Sequence, residues 1–323
     1  MKADRIPALL AAAFFALVAP FAAAQEYPAR EIRSLCNYAA GSGADLIVRF
    51  YSDRLSKLAG RPVIVENRVG ANGMIASDIL AKSRPDGYTI MITPASSTIA
   101  AAPYLFKSLP FDTTKDFAAV ATIASLSFVI LVDAAGPIKS IAELVAHLKA
   151  KPGASFYGAT SNTGVIAAEL FKTAAGVKTT YVPYKQNVQA LTDLLLGQLD
   201  FISFDATWGM GQAKGGKLRI LAATAAKRSA ALPDVPTLAE LGYGGTDVSP
   251  WWGVVVAAGT PKPIVDKLAA WINQITAAED TKQFLANSAF DPFPGTPEQM
   301  QALMKSDAER WKRYVELAKI EPQ

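Results

Sequence analysis

Ile32-Arg33-Ser34-Leu35-Cys36-Asn37-Tyr38-Ala39-Ala40-Gly41-Ser42-Gly43-Ala44-Asp45 is the stretch whose reading decides the fold. An apolar run from Ile32 to Tyr38 predicts a strand, and Gly41-Ser42-Gly43 predicts a tight turn. Asp45 then opens a helix whose apolar positions, Ile47, Tyr51, Leu55 and Leu58, recur every three or four residues until Gly60 ends it. Outward from this unit, Val63–Glu66 reads as a second strand and Ile75–Lys82 as a second helix. The turn Pro85-Asp86-Gly87 follows, and then a third strand, Tyr88–Thr93. Alternation of this kind predicts a parallel sheet with helices on its faces, an α/β fold.

The pattern restarts further on. Phe128–Val132 reads as a strand, and Ser140 with Glu143 as a capping box for a helix over Ile141–Lys149. Strands are predicted at Ser155–Ala159, Thr179–Val182, Leu199–Phe204 and Leu218–Thr224, with helices near Gly164–Ala175 and Val188–Leu196. Trp252–Ala257 is one more apolar strand. Two helices close the chain, one from Ile264 and one capped at Thr296 with Pro297 in its first turn. Two lobes joined as a hinged clamshell follow from this restart: residues 26–131 plus 251–323, and residues 132–250.

The first residues read as a secretory leader. Lys2 and Arg5 precede an apolar run, Ala8–Val18, and Ala22-Ala23-Ala24 offers small residues for cleavage after Ala24. That run is shorter than the roughly 20 residues a membrane span needs, so a signal peptide over 1–24 and release into the periplasm are expected. The whole chain holds 32 Lys and Arg against 28 Asp and Glu. Without Lys2, Arg5 and Asp4 the balance is 30 against 27, a net charge of +3. The basic residues are scattered, which argues against a nucleic-acid partner; a mildly basic surface suits a small anionic ligand.

Cys36 is the single cysteine, so no internal disulfide can form, and it reads as a buried strand residue rather than a lipid attachment site. His147 is the single histidine, placed on the polar face of its helix as a solvated residue. One histidine leaves little for a histidine-based zinc site or a Ser-His-Asp triad. The sequence therefore assigns no catalytic residue, no metal and no cofactor.

Three loops carry candidate binding chemistry. Tyr38, Ala39, Gly41, Ser42, Gly43 and Asp45 form the first strand-to-helix corner, where glycines admit a tight turn and a helix N-terminus favours an anion. Thr160, Ser161, Asn162, Thr163 and Gly164 form a corresponding corner in the second lobe. Ser96 and Ser97 lie past the third strand, at the carboxyl end where open α/β sheets bind ligands. Asp205 could accept a hydrogen bond from a ligand, and Tyr38, Trp208, Trp251 and Trp252 are candidates for aromatic walls.

The chain resembles the Bug or TctC-type extracytoplasmic receptors of tripartite tricarboxylate transporters along nearly all its length after the leader. The resemblance rests on ordered blocks: Gly41-Ser42-Gly43-Ala44-Asp45, Val65-Glu66-Asn67-Arg68, Pro85-Asp86-Gly87-Tyr88-Thr89, Leu232-Pro233-Asp234-Val235-Pro236-Thr237 and Gly259-Thr260-Pro261. It implies a two-domain periplasmic-binding-protein fold of the type II kind, a small carboxylate (a dicarboxylate or an aromatic acid) held by the loop Tyr38–Asp45, and selection of the rest of the ligand by Thr160–Gly164 and the segment around Asp205. It also implies membrane permease subunits as partners, with a monomeric receptor and no enzyme activity. The family's usual Pro-Phe-Pro before the glycine loop is here Asn37-Tyr38-Ala39, and Ser127-Phe128 stands where proline and asparagine are usual. These departures point to an aromatic or more apolar carboxylate. Two other functions share the fold: an adaptor that presents solute to a membrane sensor kinase, and a secreted hydrolase, for which Ser96 with Lys185 would be the nucleophile and base.

Overall fold

A computed structural model describes residues 27–322; the leader assigned to 1–24 lies outside them. The opening stretch folds as β1 (Ile32–Cys36) and α1 (Gly43–Ala59), followed by β2 (Val63–Asn67), α2 (Met74–Ala81), β3 (Thr89–Thr93), α3 (Ala102–Leu105) and β4 (Phe117–Leu126). The second sheet's region comprises β5 (Phe128–Asp133), α4 (Ile141–Ala150), β6 (Phe156–Ala159), α5 (Asn162–Ala175), β7 (Thr180–Pro183), α6 (Asn187–Leu195), β8 (Phe201–Asp205), α7 (Ala206–Lys214) and β9 (Leu218–Ala223). The chain then returns through β10 (Trp251–Ala257), α8 (Lys262–Ala277), α9 (Glu279–Asn287), β11 (Phe290–Pro292) and α10 (Pro297–Ala318).

Two sheets result, ordered β11-β4-β10-β3-β1-β2 and β7-β6-β8-β5-β9. Each has a parallel βαβ part, β3-β1-β2 and β7-β6-β8. Neither is wholly parallel, which corrects the sequence expectation. β10 runs antiparallel between β3 and β4, β11 is antiparallel to β4, and β5 is antiparallel to β8 and β9. The reversals arise where the chain leaves one sheet and where it comes back, steps that involve no right-handed crossover helix.

Side-chain parity along the central strands builds the core. In β10, Trp252, Val254 and Val256 pack on the α1 and α8 side, while Trp251 and Val255 pack on the opposite side with Met300 of α10. β5 divides likewise, Ile130 and Val132 to one face and Val129 and Leu131 to the other. Sheets covered on both faces lose the polar alternation that would mark an exposed face. The α1 periodicity is realised: Ile47, Tyr51 and Leu55 are buried, each worth roughly 1.5–3 kcal/mol of apolar burial. The Tyr51 hydroxyl lies 3.1 Å from Thr276 Oγ1 and ties α1 to α8.

The two passages between sheets run side by side. Ser127 alone separates β4 from β5, so Phe128–Leu131 pair within the second sheet. Leu126 donates its amide to the Pro250 carbonyl at 2.9 Å, joining the outgoing and returning chains. Thr224 reinforces the join, its hydroxyl accepting from Phe128 N at 3.1 Å and donating to Val248 O at 2.8 Å. Further links sit elsewhere. Trp311 and Val315 of α10 pack against Ile166 and Ala167 of α5, and the Tyr314 hydroxyl donates to Asp247 O at 2.9 Å.

Candidate ligand-binding cleft

Each sheet offers a strand that ends in a tight corner and feeds a helix. At the first, Ser42 caps α1, its hydroxyl accepting from Asp45 N at 3.2 Å. At the second, Ser161 caps α5 and accepts from Gly164 N at 3.2 Å. Capping satisfies one first-turn amide in each helix; those of Gly43, Ala44, Asn162 and Thr163 have no partner further up their own helix. Both corners open on a cleft between the sheets, which holds two chambers sharing Tyr38, Ser97, Ser161 and Thr163 as a waist.

The polar chamber, about 620 Å³, is lined largely by amides and hydroxyls, including Asn37, Asn72, Thr98, Thr160 and Asn162. One wall is the segment Gly70–Gly73, in which four successive residues have positive φ: 136°, 45°, 51° and 93°. Ala71 and Asn72 hold left-handed backbone, uncommon for residues with a Cβ. Gly73 is required by contact as well as by φ, since a Cβ there would come within 2.7 Å of Thr98 Cγ2 and 2.8 Å of Asn37 Nδ2. The second, aromatic chamber, about 470 Å³, has Trp252, Phe290, Phe284, Phe128 and Leu126 in its walls, with Gly43 and Ala44 on one side and Asp205 and Thr207 on another. Tyr38 stacks on Trp252 at 5.8 Å between ring centroids, and Phe290 meets Trp252 edge-on at 6.0 Å. Burial pushes the Tyr38 phenol up to about 12, against the lowering influence of the Asn37 side chain, so it remains a neutral donor. Among the described residues, no lysine or arginine lines either chamber.

The candidate residues separate into walls and supports. Tyr38, Gly43, Ser97, Thr160, Ser161, Asn162, Thr163 and Asp205 line the cleft. Ser42 shapes the first corner as its cap, and Gly41 does so through its positive φ of 80°. Asp45 is fully buried and grips that corner, accepting from Gly41 N at 2.8 Å, Arg49 Nε at 2.7 Å and Asn67 Nδ2 at 2.7 Å. Gly164 packs beneath the second corner against the Ser203 carbonyl. Ser96 is buried behind the wall and donates to Asp307 Oδ2 at 2.7 Å; Lys185 is exposed and makes no pair with it. Ala39 is exposed outside both chambers, and Trp208, in the first turn of α7, packs edge-on against Phe204 at 4.9 Å outside both chambers. Of the other tryptophans considered, Trp252 is a wall, and Trp251 points to the far face and donates to Asp307 Oδ2 at 2.6 Å. His147 is half-buried, not solvated, because its Nε2 pairs with Asp200 Oδ1 at 2.6 Å. Ser140 caps α4 as expected, but the Glu143 carboxylate accepts from Lys139 N, so the box is not reciprocal.

Asp45 supports a pH prediction. Burial alone would raise its carboxyl, but hydrogen bonds from Arg49, Asn67 and the Gly41 amide outweigh that and hold it at about 2, below its ordinary 3.8. A carboxyl depressed in the folded state adds stability above its unfolded value, and that stability is lost as pH falls from about 4 towards about 2. Asp45→Asn should lower the melting temperature at pH 7, by an amount corresponding to roughly 1–2 kcal/mol, and flatten its fall between about pH 4 and pH 2. Thermal melts across pH would refute this if the variant and the parent fell in parallel.

Together, two α/β lobes with a polar and aromatic cleft between paired helix N-termini define a two-lobed solute-binding protein. Residues 47–320 match the model of the tripartite tricarboxylate transporter family receptor, TctC. Protein BugT of Bordetella pertussis is 32% identical over 89% of this chain and 89% of its own length. Rpa4515 of R. palustris, solved with adipate, is 31% identical over 92% of this chain and 100% of that one, with a TM-score of 0.77. MatC from Rhodopseudomonas palustris, solved with bound malate, is 26% identical over 90% of this chain and 100% of that one, with a TM-score of 0.72. The chain belongs to the TctC receptor family. It is a binding protein of the periplasmic kind and not an enzyme.

Proposed function

We propose that the protein captures a small organic carboxylate in this cleft and delivers it, as a monomer, to the permease subunits of a tripartite tricarboxylate transporter. The observation that carries the reading is the pair of helix N-termini, α1 from one sheet and α5 from the other, lining one chamber. Each brings unpaired first-turn amides and the positive end of a helix dipole, which suits a carboxylate without a basic side chain. The carboxylates in the two related structures, adipate and malate, support the same chemistry. The proposed lobes are those read from the sequence with the first boundary shifted so that β5 falls in the second, residues 26–127 plus 251–323 and residues 128–250, because β5 pairs there. They close by bending at the adjacent passages Leu126–Phe128 and Val248–Pro250, and the ligand favours closure by binding that form better. The mature protein works in the periplasm after loss of residues 1–24.

Mass spectrometry of small molecules released from the purified protein, followed by thermal shift with a panel of organic acids, tests this. A true ligand at 100 times its Kd should add about 2.7 kcal/mol of stability. A panel spanning mono-, di- and tricarboxylates that moves no melting curve, with no acid co-purifying, would overturn it.

A further inference from the structure

The aromatic chamber is asymmetric in charge. Amide-bearing helix starts stand at Gly43–Ala44 and Ser161–Thr163, whereas α7 is capped by Asp205, among the described residues the one lining this chamber that carries a formal charge. Asp205 Oδ1 accepts from Trp208 N at 2.9 Å and so caps its own helix. Its other oxygen, Oδ2, accepts from no side chain among the described residues, and the backbone amides of Asp205 and Thr207 add to the stabilisation of the carboxylate. The walls near these poles are rings: Tyr38 stacked on Trp252, and Phe290 set edge-on to Trp252. No cation lines either chamber to neutralise a second ligand charge, among the described residues.

We infer that the cleft selects a monocarboxylate with an aromatic or similarly flat apolar body and a hydroxyl or amino donor at its far end, and that Asp205 excludes dicarboxylates. This rests on the carboxylate reading above and narrows it. One carboxylate occupies the α1 and α5 amides, the body lies against Trp252 and Phe290, and the distal donor meets Asp205 Oδ2. A second carboxylate would meet a like charge in surroundings of low polarity, where repulsion is strong. Burial also pushes the Asp205 carboxyl above its ordinary value, which tells of the same poor solvation. A diacid such as the adipate held by Rpa4515 is therefore the wrong shape of charge for this chain.

Calorimetric titration of the purified protein with 3-(4-hydroxyphenyl)propionate, 3-phenylpropionate, adipate and tyramine tests the inference, repeated on Asp205→Asn. Asparagine caps helices about as well as aspartate, so α7 keeps its start, and a melting curve checks that the variant is folded. The parent should bind the hydroxyphenyl acid at least about tenfold tighter than adipate, and more tightly than 3-phenylpropionate; tyramine, lacking the carboxylate, should not bind. In Asp205→Asn the gap to adipate should narrow by about tenfold. A parent that binds adipate as tightly as the hydroxyphenyl acid, or a variant with an unchanged ratio, overturns the inference and leaves the receptor reading standing. Failure of all three acids overturns the inference; the receptor reading falls only if the wider organic-acid panel fails as well.

Discussion

Asp307→Ala should unfold this protein more readily than any other single change considered, at a cost of roughly 3–5 kcal/mol. Asp307 is only 3% exposed, on the inner face of α10. Its carboxylate accepts from Ser96 Oγ at 2.7 Å and Trp251 Nε1 at 2.6 Å, and it pairs with Arg310. Trp311 Nε1 completes the group by donating to Ser96 Oγ at 3.3 Å. Three segments meet at this carboxylate: α10, β10 and the π-helical turn Ser96–Ala100 beside the cleft. Alanine removes the acceptor yet leaves the Arg310 guanidinium and two buried donors behind, and uncompensated buried polar groups are the expensive case. The melting temperature should drop by on the order of 10 °C. Asp307→Asn, which keeps an acceptor of the same shape, should cost less. Equal losses for the two variants would show that the charge, and not the retained acceptor, holds the group together.

Gly164→Ala should also destabilise, against the usual sign. In an ordinary helix position alanine gains roughly 0.5–1 kcal/mol over glycine. Gly164 lies in the first turn of α5, and a Cβ there would come within 2.6 Å of the Ser203 carbonyl in β8. A backbone atom cannot swing away, so α5 must lift from the second sheet. Overpacking of this kind costs typically 1–3 kcal/mol. The displaced helix carries Ser161, Asn162 and Thr163 with it, so carboxylate binding should weaken as well. Melting curves and ligand titrations on the variant would decide; a gain in stability would mean that α5 packs less closely on β8 than described.

Much of the fold was legible because its units are local. The β1–α1 corner declared itself through an apolar run, two glycines and a helical stripe, although α1 starts at Gly43 with Ser42 as its cap rather than at Asp45. The missed elements lack such signals. β4, Phe117-Ala118-Ala119-Val120-Ala121-Thr122-Ile123-Ala124-Ser125-Leu126, is alanine-rich and mostly buried, so it shows no alternation. α7 carries two glycines, α9 has few apolar residues, and β11 is three residues long and ends in proline. The antiparallel entry of β10 depends on where a distant part of the chain returns, which no local pattern encodes.

The cleft divides along the same line. The hydroxyl-rich corners were readable, since Ser42 and Ser161 are local caps. Ser96 was chosen as a hydroxyl past a strand end, and only the distant Asp307 makes it structural. The wall Gly70-Ala71-Asn72-Gly73 had a turn signal in its Asn-Gly pair, but nothing local told that the turn faces Asn37 and Thr98. Phe290 and Phe284 join the chamber from the far end of the chain, and that proximity is purely tertiary.

The position of β10 also sets a timetable. It sits between β3 and β4, yet it is made well over a hundred residues after either begins. A chain made from its N-terminus holds the three-stranded β3-β1-β2 unit and the separate strand β4, with open edges, until Trp251–Ala257 arrives to join them. Pairings this remote in sequence form slowly. The first sheet is therefore completed only after every strand of the second, β5 to β9, has been made.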